Sequence, residues 1–311
     1  QARKKLMRTA SKVESPLVNY LAAARASYEL GDQEDALKIL SDAQKKYASF
    51  AIPIGIAQAK MEMRNGRYEQ AKAILVGLQI KAPRNHLVLN CLRELYESRQ
   101  DWVALGAVFP LIKKYKVCSV ADTLEMEGFI AIGQLQFAGE AAQRLALSDR
   151  LHELRKAWSK TPSYQQRVPR VVGAYAKALI DNLQDHEAEL ILRKTLGKTW
   201  DDSLIDLYGL LRVADLAEVI RTAETWLKYY PQSANLLRAL GRLNLRNHLW
   251  GLARDYFQRS LAVQQNAETF AELARLLNSL GDTQRSMEVY QAALQLSVPV
   301  LPDLPQPTKS Y

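Results

Sequence analysis

Apolar residues along this chain recur three and four positions apart rather than at every second position, the spacing of one buried face of an α-helix. The clearest stretches pause at a short polar break and resume at once. YELGDQEDALKIL breaks at Gly31, EMRNGRYEQAKAIL at Gly66, NLRNHLWGLARDYF at His248 and LNSLGDTQRSMEVY at Gly281. Gly31 and Gly66 lie 35 residues apart, His248 and Gly281 33 apart. That period predicts a helix–turn–helix pair repeated along the chain.

With the break numbered 15, the register repeats in detail. Position 8 reads Ala24, Ala59, Ala176, Gly241 and Ala274, and position 20 reads Ala36, Ala71, Ala188, Ala253 and Ser286. Position 24 carries Leu40, Leu75, Leu192, Phe257 and Tyr290, and position 32 carries Pro83 and Pro231. Small residues at 8 and 20 let two helices approach, a large one at 24 fills the groove between neighbours, and proline stops the second helix. The pattern resembles the tetratricopeptide repeat and predicts an all-α superhelix of antiparallel helix pairs. Two degenerate repeats run over about 86–116, with Pro110 inside the second helix, and 200–231. The expected organisation is an N-terminal array over 1–118, a non-consensus helical region over 119–162, a C-terminal array over 163–297 and a Pro-rich tail over 298–311. Two helices, near 120–136 and 139–159, are expected in the second of these. The opening residues read as the second helix of a pair whose first helix lies outside the chain.

Composition narrows the function. The chain has 311 residues, 48% of them hydrophobic, and a net charge of +9. The two cysteines, Cys91 and Cys118, lack metal-ligand spacing and fit a reducing compartment. No apolar run reaches the length needed to span a bilayer. The chain opens QARKKLMRTA without an initiator Met, which suggests a piece of a longer protein. Within residues 1–12, Arg3, Lys4, Lys5, Arg8 and Lys12 stand without an acid, a cluster suited to an anionic membrane surface.

Catalytic templates fail in turn: there is no G-x-G-x-x-G, no phosphate loop and no H-E-x-x-H. His86, His152, His186 and His248 are scattered without i, i+4 partners, and no metal site or catalytic residue is expected. Position 9 stands out. It reads Arg25, Lys60, Glu94, Lys177, Tyr208, Arg242 and Arg275, five of seven basic. In this kind of repeat the first helix of each pair lines the concave wall, so these residues are expected to form a basic stripe along a partner-binding groove. Arg64, Arg212, Arg238 and Arg246, at positions 13 or 5, would thicken it. Nucleic acid is the weaker occupant, because aromatic residues are not interleaved on that face. Reversing Arg242 and Arg275 together to Glu is expected to leave helicity and melting temperature nearly unchanged while lowering partner capture.

Longer phrases point further. PLVNYLAAARASYELGDQEDALKIL, LRKAWSKTPSYQQRVPRVVGAYAKALI, WDDSLIDLYGLL, LLRALGRLNLRNHLWGLARDYFQRSL and ELARLLNSLGD together resemble the proteobacterial HemY family. The resemblance covers residues 1–297. It implies a cytoplasmic repeat array tethered to the bacterial inner membrane by transmembrane helices that precede this chain. It further implies a non-catalytic scaffold for late haem-biosynthesis enzymes, with no catalytic residues to transfer. The alternative is a haem or porphyrin carrier whose basic residues pair with propionates; otherwise no cofactor is expected.

Overall fold

A computed structural model describes residues 16–297, which form sixteen α-helices and short connecting turns, with no strand among the described residues. The chain divides into two compact units, residues 1–134 and 135–311. The first holds α1 (Pro16–Glu29) and α2 (Gln33–Lys46), α3 (Ala51–Arg64) and α4 (Tyr68–Lys81), α5 (His86–Ser98) and α6 (Trp102–Lys114), and the first part of α7 (Val120–Ala142). The second holds the rest of α7, α8 (Leu147–Lys160), α9 (Pro169–Asp181) and α10 (Asp185–Leu196), followed by α11 (Asp202–Tyr208) and α12 (Leu216–Tyr229). It ends with α13 (Ala234–Arg246) and α14 (Trp250–Val263), then α15 (Ala267–Ser279) and α16 (Thr283–Ser297).

The chain reverses where the sequence breaks. Gly31, Gly66 and Gly281 adopt φ of 84°, 73° and 86°, the left-handed conformation that ends a helix most cheaply at glycine. Gln100, Leu183 and His248 take the same conformation at the equivalent place, with φ of 53°, 62° and 60°. The next residue or two starts the following helix. Asp32 and Asp101 cap α2 and α6, each side chain accepting a bond from the main chain three residues on, Asp35 N and Ala104 N.

Packing follows the small–small–large register. Ala24, Ala59, Ala176 and Ala274 are fully buried, as are Ala36, Ala71, Ala188 and Ala253 opposite them. Leu40, Leu75, Leu192 and Phe257 fill position 24 with no exposure, whereas Tyr290 in the last pair stays 42% exposed. Gly241 replaces alanine for a local reason: a Cβ there would lie 2.6 Å from the Phe257 ring. In the last pair, the Ser286 hydroxyl donates to the Ala274 carbonyl at 2.7 Å, joining positions 20 and 8 by a buried hydrogen bond. First helices also stack on one another, α3 on α5, α9 on α11 and α11 on α13. The all-α array of helix pairs read from the sequence is therefore present within each unit.

The middle of the chain departs from expectation. One helix of 23 residues, α7, replaces the break expected between 136 and 139. Gly133 and Gly139 are contact points inside it, not punctuation. A side chain at Gly133 would collide with Trp102, and one at Gly139 would meet Ala178 at 3.1 Å. The two compact units divide within this helix, at 134/135. Pro110 lies inside α6, which continues through it to Lys114. The tail over 298–311 and the basic cluster Arg3, Lys4, Lys5, Arg8 and Lys12 lie outside the described residues.

Candidate functional site

The basic residues chosen from their repeat positions do not share one fate. In the first unit, Arg25 on α1 is exposed and pairs with Glu29 one turn on at 2.9 Å. Lys60 and Arg64, one turn apart on α3, are exposed and have no ion pair with a described residue. In the second unit, Lys177 on α9 is exposed and pairs with Asp181 at 3.2 Å. Arg275 on α15 is exposed with no such pair. Pairs like Arg25–Glu29 and Lys177–Asp181 contribute only about 0.3–0.5 kcal/mol, so a partner's carboxylate can displace them.

Arg238 and Arg242 on α13 are a different matter, and here the expectation of a free electropositive stripe is corrected. Both are buried. Arg238 pairs with Asp206 of α11 through Nε, at 3.2 Å, and through Nη2, and reaches Glu268 of α15 at 3.7 Å. The Arg242 guanidinium lies 2.8 Å from Glu272 through Nε and 2.7 Å from Glu268 through Nη2, both on α15. Burial alone would push the Arg242 pKa down, but the bond to Glu272 and the charges of Glu272, Glu268 and Asp206 leave it raised. The stack of first helices α11, α13 and α15 is thus bolted by alternating charge.

Arg212 and Arg246 have a third role. Both stand at position 13, and each donates to main-chain carbonyls at or just past the end of the preceding first helix. Arg212 Nη2 reaches Ile180 O at 3.0 Å; Arg246 Nη1 reaches Gly209 O at 2.8 Å and Leu211 O at 3.1 Å. Carbonyls at a helix end lack the next turn's N–H donors, and a guanidinium is a natural further donor to them. The Arg212 main-chain N–H also donates to Asp185 at 2.9 Å. Burial, with the nearby charges of Arg212 and Arg242, lowers the Arg246 pKa. Three guanidiniums (Arg212, Arg238, Arg242) pair with four carboxylates (Asp185, Asp206, Glu268, Glu272), while Arg246 is held by main-chain carbonyls.

A sequence signal for the buried set exists in the register. Glu268 and Glu272 occupy positions 2 and 6 of the repeat after Arg242, where the repeat after Lys60 has Leu87 and Cys91. Acids at both places accompany the buried Arg242, whereas Lys177, followed by Asp201 at position 2 alone, stays exposed. The four histidines are all exposed, and among the described residues no group of three or more His, Cys, Asp and Glu is placed to hold a metal ion. The tryptophans mostly stack in or near the core. Trp158 lies on Tyr175 at 4.4 Å and 7°, Trp102 on Phe129 at 5.2 Å, and Trp200 on Tyr230 at 3.8 Å. No described helix is long and apolar enough to cross a membrane.

The protein HemY of Escherichia coli strain K12 is 24% identical over 300 residues, which span 96% of this chain and 73% of that protein. The chain is a distant HemY homologue. Nearly the whole of it takes part in the match, including the stretches with a degenerate repeat signature. Among solved structures, PilW, a type IV pilus biogenesis factor, is 18% identical over 78% of this chain and 92% of its own, with a TM-score of 0.34. PilF of Pseudomonas aeruginosa is 15% identical over 80% of this chain and 92% of its own, with a TM-score of 0.32. No protein-family model matches the chain.

Proposed function

We propose that the chain is a non-catalytic scaffold that binds protein partners of haem or porphyrin biosynthesis on the face formed by the first helices of its pairs. The carrying observation is Lys60 and Arg64: exposed, one turn apart, and facing no acid at positions 2 and 6 of the next repeat. An acidic segment laid along α3 would supply the missing charge. Each exposed pair contributes about 0.2–1 kcal/mol, so the effect falls mainly on association rate and partner choice and fades with salt. HemY similarity supports the link to haem biosynthesis. In this reading the chain is tethered at the cytoplasmic side of the bacterial inner membrane, where Arg3, Lys4, Lys5, Arg8 and Lys12 would meet anionic lipid.

The test is a cross-linked pull-down from membranes with wild type and with Lys60→Glu/Arg64→Glu. Loss of haem-pathway enzymes from the captured set, with helicity and melting temperature retained, is the expected result. Capture of the same proteins in the same amounts overturns the reading.

A further inference from the structure

The second unit contains a cavity that the scaffold reading does not use. It has a volume of about 560 Å³ and lies where the end of α8, the short turn over Gln165–Arg167 and the last turn of α10 converge. Arg167, Lys194 and Lys198 line it beside Trp158, Thr195 and Thr199, and no acidic residue is among its lining. All three cations are exposed, and none has an ion pair with a described residue.

The setting of this cavity is rigid. Gln166 Nε2 donates to Trp158 O at 2.9 Å and Thr161 O at 3.1 Å, which ties the turn bearing Arg167 to the end of α8. Trp158 is itself held by its stack on the buried Tyr175. The Thr195 hydroxyl donates to Ile191 O at 2.8 Å, so its oxygen keeps acceptor capacity but offers no further proton. The charged anion-binding groups are the three cations, with the Ser163 and Thr199 hydroxyls beside them.

A second cavity, of about 460 Å³, opens elsewhere on α10 and shows the contrast. Its two arginines are both neutralised: Arg193 lies 3.0 Å from Glu189 and 3.4 Å from Glu218, and Arg212 lies 3.7 Å from Asp185. This chain supplies carboxylates where guanidiniums crowd. It supplies none around Arg167, Lys194 and Lys198. Lys194 and Lys198 are favoured there by the negative end of the α10 dipole, but Arg167 arrives from another element and gains nothing from it. Like charges gathered around a concave wall focus a positive potential into it, and an anion relieves their repulsion.

We propose that this cavity binds a small organic polyanion bearing clustered carboxylate or phosphate groups, which the three cations grip while its body rests against Trp158. The site stands independently of the α3 face, since it shares no residue with it.

Isothermal titration calorimetry at low salt tests it with three probes: inorganic pyrophosphate, citrate, and benzene-1,3,5-tricarboxylate. Saturable binding of at least one, with Kd below about 1 mM, is expected, weakened about tenfold or more in Arg167→Gln/Lys194→Gln/Lys198→Gln. The substitutions are all on exposed side chains, and an unchanged melting temperature checks the fold. Preference for pyrophosphate assigns phosphate as the natural group, and preference for the carboxylates assigns carboxylate. No saturable binding at 10 mM of any probe overturns the proposal, as does equal weakening in Lys60→Gln/Arg64→Gln, which would mark binding as a bulk charge effect.

Discussion

The first helices of the two units carry the same residue type at the same repeat position and put it to opposite use. On α3, Lys60 is exposed, and positions 2 and 6 of the following repeat are Leu87 and Cys91. On α13, Arg242 stands at the same position, above Glu268 and Glu272, and is buried by them. The two differ in whether carboxylates of a neighbouring helix close on the cation, as Glu268 and Glu272 do on Arg242 and none does on Lys60. A cation that meets carboxylates at once is part of the frame, and one that meets none is available.

The largest test of that difference is Arg242→Glu. It would set a buried carboxylate against Glu272 and the exposed Glu268 and cost about 3–5 kcal/mol, the cost of breaking a buried pair. Chemical denaturation should show the loss, and a midpoint within error of wild type would mean that α13 is not bolted by charge. This replaces the expectation that reversing Arg242 and Arg275 spares the melting temperature. Gly241→Ala comes next, at about 1–3 kcal/mol, because its new methyl meets the Phe257 ring; Phe257→Leu in the same chain should recover most of it. If the double variant is no more stable than the single, the collision is not the cause.

Tyr175→Phe should work in the other direction. The Tyr175 hydroxyl is buried with no hydrogen-bond partner among the described residues, and burial pushes its pKa up to about 12. Removing the oxygen should stabilise the second unit by up to about 1 kcal/mol, and a melting temperature that falls would reveal a partner for that hydroxyl. The smallest effect belongs to Lys60→Glu/Arg64→Glu, which should stay within about 0.5 kcal/mol of wild type. A larger loss would place those two side chains in the frame with Arg242.

The helix pairs were legible because their signals are local. The break residues are 33–35 apart, and positions 8, 20 and 24 fall within one pair, so a single repeat states its own packing. The charge network was not legible by the same route. Arg242 finds Glu268 26 residues away and Glu272 30 away, and Arg238 finds Asp206 32 away. Each partner sits on a different first helix, and the bond exists only once those helices stack. The role of Gly133 and Gly139 was hidden for a related reason: a glycine states no packing need until the neighbour that needs the space, Trp102 or Ala178, is in view.

Gly241 and Phe257 have a consequence for how such a sequence can change over generations. They sit sixteen residues apart, yet neither can drift alone. Alanine, the residue of the other four repeats at position 8, is closed to 241 while phenylalanine occupies 257. The ring must shrink first and the methyl arrive second. A descendant that took these steps in reverse would pass through a weakened ancestor, so the order of substitution, and not only their sum, is written into this one contact.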